Sequence, residues 1–407
     1  MAEPLATPSR TVIVAGAGIG GLTVSLALAR SGFRVLVLEQ AERLEETGAG
    51  IQLSPNATRT LIELGLGDRL RPQVVTPSAL RVLGARSGRE IVRIPLGEAA
   101  QRYGAPYWMI HRGDLQAVLA AAVAQELNVS VKLGMRMEDF ATHPHGVTVS
   151  ARGPGGLWNE RGNALIAADG LWSDSRSRMG FKEPPRFAGR AAWRALVPAQ
   201  EVAPEFRDPL IHLWLGRDAH LVHYPVKGGK VINVVVIAAD SWNGTGWSEP
   251  ASRVDLLRHV AATHWAPKAH ALIRVPETWL KWALYDRRPL LGFSQGAAAL
   301  LGDAAHPMLP FLAQGAAMAI EDAAVAARCL ARMPDDAAAA LRSYSAIRRA
   351  RTRKVQRLAA RNGERYHLRG VSAMLRNAAM RVMGGERLLH HYDWLYDWRL
   401  PAALSMP

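Results

Sequence analysis

Short apolar runs that end near a glycine or an acid recur along the chain. Four of them cover residues 12–14, 33–38, 164–168 and 297–301. Their length and their β-branched or small apolar residues predict strands that are buried on both faces, as in a parallel sheet. Three runs are followed at once, or after one glycine, by the acids Glu39, Asp169 and Asp303. Because open parallel sheets bind ligands beyond the carboxyl ends of their strands, we expect these acids near one common edge.

A different pattern occupies residues 212–239. The polar breaks GRDA and KGGK divide this stretch into three apolar segments, which predict an antiparallel meander. Side chains alternate between the two faces of a strand, so His220, Val222 and Tyr224 should share one face of the middle strand, while Leu221 and His223 face the other way. From residue 336 onward the pattern is helical and basic, and it ends in the aromatic segment HHYDWLYDWRL.

The first apolar run opens a glycine-rich segment, TVIVAGAGIGGLTVSLALARSGFRVLVLEQ, at residues 11–40. Gly16 suits a tight turn, Gly18 a close approach of the backbone to a pyrophosphate, and Gly21 a close contact between helix and strand. The pyrophosphate would then lie at the N-terminus of the helix, where backbone N–H groups are unpaired. Glu39 follows the second strand and can accept hydrogen bonds from ribose hydroxyls. This fingerprint predicts a dinucleotide site and leaves NAD and FAD open.

Composition limits the class of protein. The chain has 407 residues, 49% of them hydrophobic and 21% charged, an ordinary globular mixture without a stretch that predicts a membrane span. Cys329 is the single cysteine, which excludes an internal disulfide and fits a reducing cytoplasm. We expect it to be a buried, inert thiol in a helix. The first eight residues include two prolines and are expected to be disordered.

The net charge of +15 could attract nucleic acid, an anionic membrane or small anionic ligands. Much of the excess lies between Arg348 and Gly370, where no nucleic-acid-binding motif accompanies the arginines. We interpret this stretch as a solvated basic face of a helix.

Three segments together resemble the FAD-binding motifs of class A flavoprotein monooxygenases. They are the glycine fingerprint, ADG at 168–170 with Ser173 and Arg176 at fixed offsets, and GDAAHPMLPFLAQGAAMAIEDA at 302–323. The likeness runs from Thr11 to about Ala327 and is nearest to the branch that contains salicylate hydroxylase, 3-hydroxybenzoate 6-hydroxylase and 6-hydroxynicotinate 3-monooxygenase. It includes GAGIQLSPNA, HRGDLQAVL and AHLVHYPV. The resemblance implies FAD as the cofactor.

The resemblance also implies roles for the residues of the third motif. Asp303 would hydrogen-bond the ribityl chain, and Pro307 and Pro310 would stiffen a loop alongside the isoalloxazine ring. The helix that begins at Gln314-Gly315 would point its N-terminus at the N1–C2 carbonyl edge of the flavin, where reduction places negative charge. His306 is expected to pack beside this loop.

The remaining site residues follow from the same motifs. Arg112 would reach the flavin, and the backbone of Leu133 the adenosine. The full set predicted to bind FAD is Gly16, Gly18, Gly20, Gly21, Glu39, Gln40, Arg112, Leu133, Asp169, Asp303, Pro310, Gly315 and Ala316. His220 and Tyr224 match a histidine and a tyrosine that face the substrate in the resembling hydroxylases, and histidine can act as a base near neutral pH. Gln52, Arg194 and Gln314 are predicted to border the substrate, with Arg194 as a carboxylate partner. No metal is expected.

The implied reaction is hydroxylation of an aromatic ring, most naturally a phenolic acid, by NADH or NADPH and O₂ through a flavin C4a-hydroperoxide. Three alternatives remain open at this point. They are oxygenation of another substrate type (epoxidation, urate or a polycyclic natural product), an NAD-dependent dehydrogenase, and a basic protein that binds nucleic acid or a membrane through residues 348–369.

The fold class implied is α/β, with a Rossmann-like FAD domain, an inserted β-rich substrate domain and a C-terminal helical segment. We assign residues 9–76, 100–180 and 287–335 to the FAD domain, 77–99 and 181–286 to the substrate domain, and 336–407 to the helical segment. The expected partners are a small aromatic substrate, O₂ and NAD(P)H, without nucleic acid or a membrane span. We expect a cytoplasmic monomer or homodimer, whose tail packs against the body or against a second subunit.

Overall fold

The computed structural model describes residues 10–44, 49–242, 244 and 246–404. The first eight residues, expected to be disordered, and Gly48, which opens the segment GAGIQLSPNA, lie outside these ranges. The strands are, in chain order, β1 (Thr11–Ala15), β2 (Arg34–Leu38), β3 (Gly50–Leu53), β4 (Ala79–Gly84), β5 (Glu90–Pro95), β6 (Trp108–His111), β7 (Val129–Lys132), β8 (Arg136–His143), β9 (Gly146–Gly153), β10 (Gly156–Gly162), β11 (Ala164–Ala167), β12 (Arg186–Pro198), β13 (Leu210–Leu215), β14 (Ala219–Val226), β15 (Val231–Ala239), β16 (Ser248–Ser252), β17 (Thr278–Asp286), β18 (Ser294–Gln295) and β19 (Ala298–Leu300).

Helices cover one face of the FAD-domain sheet and form the C-terminal segment. They are α1 (Ile19–Arg30), α2 (Pro55–Glu63), α3 (Gly67–Leu70), α4 (Ala99–Tyr103), α5 (Arg112–Val123), α6 (Asp174–Arg178), α7 (Arg253–His259), α8 (Pro267–Arg274), α9 (Gly315–Arg332), α10 (Ala337–Tyr366), α11 (Gly370–His390) and α12 (Asp393–Tyr396). Among the described residues, no helix combines the length and the apolar character that crossing a bilayer would require.

The four apolar runs predicted from the sequence are strands of one six-stranded sheet, in the order β18-β19-β11-β1-β2-β7. The strands from β19 to β7 are parallel, and the short β18 pairs antiparallel with β19 at the edge. Val12, Ile13 and Val14 are fully buried, as expected for a strand covered on both faces. Since β2, β11 and β19 run in the same direction, Glu39, Asp169 and Asp303 follow their carboxyl ends. The prediction of a common edge is confirmed.

The second large sheet has eight strands in the order β16-β17-β12-β15-β14-β13-β4-β5. Strands β13, β14 and β15 pair antiparallel with their sequence neighbours, which confirms the predicted meander. The strand pair β4–β5 joins this sheet through a parallel pairing of β4 with β13. The fold class predicted from the sequence is thus confirmed, while the exact domain boundaries stay a prediction. A three-stranded sheet, β8 to β10, was not expected; it packs against the face of the FAD-domain sheet opposite the helices.

The Asp336 side chain accepts a hydrogen bond from Ala339 N and caps α10, the first helix of the C-terminal segment. The interpretation of residues 348–370 as a solvated basic face is wrong for two of its arginines. Arg348 is fully buried and donates to Glu321 at 2.5 Å and to Asp322 at 2.6 Å. Arg351 donates to Glu321 at 2.7 Å. Glu321 and Asp322 on α9 form ion pairs with these arginines, so that each buried charge has a partner of opposite sign.

The other expectations about buried groups are confirmed. Cys329 is buried, and burial raises the pKa of its thiol to about 11, so the thiol stays protonated at neutral pH, as expected of an unreactive cysteine. His306 is buried beside the loop that follows β19 and contacts Asp322 at 2.5 Å.

Candidate active site

The turn between β1 and α1 gives each glycine of the fingerprint a separate task. Gly16 has a φ of +100°, and a Cβ there would lie 2.5 Å from the Ala168 carbonyl oxygen. A Cβ at Gly20 would lie 2.7 Å from a Leu301 side-chain carbon, and one at Gly21 would overlap the backbone of Gly16. Gly18 differs, because a Cβ at this position has no described atom within 4 Å. The space beside Gly18 is therefore open at the N-terminus of α1, as a pyrophosphate requires.

Glu39 lies just beyond β2, at the carboxyl edge of the sheet. Its two carboxylate oxygens accept hydrogen bonds from Ala17 N at 2.7 Å and from Ala41 N at 2.9 Å. These bonds fix the carboxylate next to the fingerprint turn and leave lone pairs for ribose hydroxyls. Gln40 is exposed beside it.

Asp303 stands in a single 3₁₀ turn, Gly302–Ala304, directly after β19. Its carboxylate opens into a cavity at the edge of the sheet, and the surrounding protein raises its pKa by desolvation. Asp322 on α9 anchors the turn from behind, since its carboxylate accepts from Gly302 N at 3.1 Å and contacts His306. Burial alone would raise the pKa of Asp322, but His306 and Arg348 hold it at about 2. Asp322 therefore stays ionised and positions the Asp303 turn.

The second motif braces the same turn. Ser173 caps α6 by accepting from Arg176 N at 2.8 Å. The Arg176 guanidinium is buried and donates to the carbonyls of Ala304 and Ala305 at 3.1 and 2.9 Å. Asp169 accepts two hydrogen bonds from Ser175, yet its other oxygen is buried without a hydrogen-bond partner among the described residues. An unpaired buried carboxylate oxygen at this edge suits a ligand that supplies donors.

A cavity of about 410 Å³ runs from the fingerprint turn to the second sheet. Most of the predicted site residues line it, namely Gly18, Gly20, Gln52, Arg112, Arg194, His220, Tyr224, Asp303, Pro310, Gln314, Gly315 and Ala316. Leu133 does not; it is exposed in the turn after β7, at the far edge of the sheet. The cavity therefore joins the dinucleotide end to the β14 face in one continuous space.

The loop that leads into α9 forms one wall of this cavity. Pro310 opens a 3₁₀ turn that ends at Ala313, whose φ of +52° is uncommon for a residue other than glycine. α9 then begins at Gly315 with its N-terminus on the cavity. The amide of Gln314 is held by Ser54 at 2.8 Å and by Asn56 at 3.2 Å, both at the start of α2. Gln314 therefore fixes the angle of α9, and its role as a substrate contact stays a prediction.

The other end of the cavity is one face of the second sheet. His220, Val222 and Tyr224 line the cavity together, while Leu221 lies in the core behind the sheet and His223 is buried against Trp214. The predicted division of the β14 side chains between two faces is thus confirmed. Tyr224 is buried, and burial raises its pKa, so its hydroxyl keeps its proton.

Arg194 on β12 brings a positive charge to this face. Its guanidinium lies over the Trp282 ring at 4.7 Å, and its Nε is buried without a hydrogen-bond partner among the described residues. Desolvation lowers its pKa to about 10, so the group remains a cation at neutral pH. A half-buried cation with a buried, unused donor can bind an anion.

Polar side chains that the sequence analysis missed complete the site. Tyr107 donates its hydroxyl proton to the Gln52 amide oxygen at 2.8 Å, and Gln52 lies within reach of Tyr224. His220 Nδ1 is 2.9 Å from Nε2 of His367, which follows α10. A second cavity of about 460 Å³, mostly apolar, adjoins the first and shares Gln52, His220 and Val222 with it.

Comparisons with known proteins agree with this geometry. A family model described as an FAD binding domain matches residues 9–359. The chain is 37% identical over 390 residues to 3-hydroxybenzoate 6-hydroxylase 1 of Aquipseudomonas alcaligenes, covering 95% of this chain and 97% of that enzyme. It is 36% identical over 388 residues to 3-amino-4-hydroxybenzoate 2-monooxygenase of Streptomyces cremeus, covering 95% and 94%. The chain belongs to the class A FAD-dependent aromatic monooxygenases.

Among solved structures, Klebsiella pneumoniae HpxO in complex with FAD and uric acid matches with a TM-score of 0.82 and 28% identity, over 94% of this chain and 95% of that one. The family assignment confirms the resemblance that the three motifs indicated, and it confirms FAD as the cofactor. The open space at Gly18 and the unpaired oxygen of Asp169 fit that group. This monooxygenase is an aromatic ring hydroxylase, and the dehydrogenase and nucleic-acid alternatives are set aside.

Proposed function

We propose that this monooxygenase hydroxylates a small aromatic carboxylic acid that carries a ring hydroxyl group, with NAD(P)H and O₂ as co-substrates. Bound FAD supplies the redox chemistry and activates oxygen, while the protein orients the ring and excludes water. The observation that carries the proposal is Arg194, a half-buried cation whose buried Nε lacks a hydrogen-bond partner among the described residues, in the wall of the cavity.

The polar groups that line the cavity form two sets, one for the carboxylate of such a substrate and one for its ring hydroxyl. Arg194 would bind the carboxylate, where a guanidinium can form two parallel hydrogen bonds. His220 would take the proton of the ring hydroxyl, because a phenolate ring is richer in electrons than a phenol. Tyr224, together with Gln52, would hydrogen-bond the same ring oxygen. Two relatives whose names give a hydroxybenzoate as the substrate support this substrate class.

A panel of aromatic acids tests the proposal. Wild-type enzyme is mixed with NADH or NADPH and with 3-hydroxybenzoate, other hydroxylated benzoates, 3-hydroxybenzamide or uric acid. The readouts are substrate-stimulated oxidation of the nicotinamide and hydroxylated product by mass spectrometry. A hydroxylated acid should give both. Uric acid is included because one matched structure holds it, and a preference for uric acid would favour that alternative.

Arg194→Met separates carboxylate binding from the rest of the reaction. Loss of a hydrogen bond between charged groups costs about 1.5–3 kcal/mol, so kcat/KM for the acid should fall roughly 10- to 150-fold. The matched amide should be affected much less. Arg186→Met is the control, since Arg186 is exposed on the same strand. Equal losses for acid and amide would overturn the assignment of Arg194.

A further inference from the structure

Two buried histidines from distant parts of the chain meet at the cavity wall. His220 is on β14, and His367 directly follows α10 in the C-terminal segment. The two residues are 2% and 5% exposed, and His220 Nδ1 lies 2.9 Å from His367 Nε2. On its other side, His367 Nδ1 lies 2.6 Å from the carbonyl oxygen of Gly363, one turn back on α10.

The carbonyl group fixes where the protons lie. A carbonyl oxygen can only accept, so His367 Nδ1 must carry a proton and donate it to Gly363. In a neutral imidazole the other nitrogen is then an acceptor, and His220 Nδ1 must donate to it. It follows that His220 Nε2 carries a lone pair. The chain of hydrogen bonds leaves this basic nitrogen for the cavity that His220 lines.

The surroundings keep the pair neutral before substrate binds. Burial lowers the pKa of both histidines, that of His367 to about 4. The charged and titratable groups that face the pair are Arg190 on β12, Asp218 in the turn before β14, Arg376 on α11 and Tyr366 on α10. The two arginines oppose a positive charge on the pair, and Asp218 favours one at His367. When the pair accepts a proton from the substrate, the resulting positive charge is therefore more stable on His367 than on His220.

We propose that His367 is a positioning residue for His220: it locks the proton of His220 on Nδ1, presents Nε2 to the substrate hydroxyl, and then shares the proton that Nε2 accepts. In this step the substrate O–H bond breaks and a bond between His220 Nε2 and hydrogen forms. The Nδ1 proton of His220 passes to His367 Nε2, which leaves His220 neutral and His367 as the cation. The transfer reverses when the ring oxygen of the product is protonated. The inference rests on the proposed function in assigning the hydroxyl as proton donor.

Nitrogen-15 NMR of the FAD-loaded, histidine-labelled protein reads the proton positions without turnover. In the wild type, His220 and His367 should each carry one proton, on Nδ1. In His367→Leu, which offers no acceptor, His220 should move toward the Nε2–H form. In His367→Gln, whose amide oxygen can accept, the Nδ1–H form should return. Wild-type protein in which His220 carries its proton on Nε2 overturns the inference, even if no variant folds.

Turnover of the hydroxylated acid provides the second readout. His367→Leu should lower the hydroxylation rate roughly 10- to 100-fold, within or below the range of a general base, and should release more hydrogen peroxide per nicotinamide oxidised. His367→Gln should stay within about threefold of wild type, because it restores the hydrogen bond that positions His220, and the missing shared proton accounts for the remaining loss. His223→Leu is the matched control, a buried histidine on the other face of the same strand.

The outcomes separate this inference from the proposed function. Equal rates for His367→Leu, His367→Gln and wild type overturn the role of His367, whatever the substrate. If no aromatic acid stimulates nicotinamide oxidation while the NMR result holds, the proposed substrate class and the proton transfer from it both fail. The positioning of His220 by His367 then stands alone.

Discussion

Gly18 offers a test of the cofactor site that separates folding from binding. Gly18 has a φ of −70° and a ψ of −177°, which alanine adopts without strain. A Cβ at this position meets no described atom within 4 Å. Gly18→Ala should therefore fold normally, and the apoprotein should gain up to about 1 kcal/mol because alanine restricts the unfolded chain. The added methyl group would instead occupy the space in which the FAD pyrophosphate approaches the backbone.

The expected loss follows from the hydrogen bonds at stake. A backbone N–H that binds a charged oxygen contributes about 1.5–3 kcal/mol. Displacing the pyrophosphate from one such group should weaken FAD binding by roughly 10- to 150-fold. Titration of the apoprotein with FAD, followed by quenching of flavin fluorescence, measures this directly. Urea unfolding of the same apoprotein measures its stability.

Two other glycines complete the comparison. Gly20→Ala forces a Cβ to 2.7 Å from Leu301 and 3.2 Å from Ala319, so the apoprotein itself should lose stability. Gly155→Ala, in the turn between β9 and β10, also has open space around its Cβ and should change neither property. If Gly18→Ala binds FAD as tightly as wild type, the pyrophosphate does not pass over Gly18 and the reasoning fails.

Two further predictions concern the support of the flavin site. Asp303→Ala should purify folded but depleted in flavin, measured as the ratio of visible to ultraviolet absorbance, because a hydrogen bond to a charged group contributes about 1.5–3 kcal/mol; a fully yellow Asp303→Ala protein contradicts the ribityl assignment. Arg348→Met should lower the free energy of unfolding in urea by about 3–5 kcal/mol, since it removes one charged partner from each of two buried carboxylates. Arg349→Met, whose side chain is exposed, should stay within about 0.5 kcal/mol; similar losses in both variants would refute the role of the buried ion pairs.

The parts of the molecule that the sequence predicted are those set by local pattern. Apolar runs of strand length, followed by acids, are enough to predict a parallel sheet and its ligand edge. Period-two alternation alone divides His220 and Tyr224 from His223 on β14, and the structure agrees. The glycine spacing predicts the turn, because the steric demand at Gly21 arises within the same β1–α1 unit, from the backbone of Gly16.

The parts that escaped prediction depend on packing between distant segments. His220 and His367 are 147 residues apart, and nothing in either segment marks the pairing. A helical run of arginines does not indicate which of its side chains point into the core. The sequence therefore predicts that Arg348 lies on a solvated face. Only the packing of α10 on α9 brings it to Glu321 and Asp322. Nothing near Gln314 in the sequence likewise indicates that its amide bonds to Ser54, the N-cap of α2.

Because α10 contributes to the active site, the C-terminal segment cannot be exchanged between related enzymes without changing that site. Arg348 and Arg351 bind this helix to α9, and His367 at its end contacts the β14 face. A chimaera that exchanged the C-terminal segment between relatives would therefore change the support of the Asp303 turn and the β14 face at once. Libraries aimed at new substrates should vary positions around His220 and His367 together, because the gene encodes one wall of the pocket in two widely separated places.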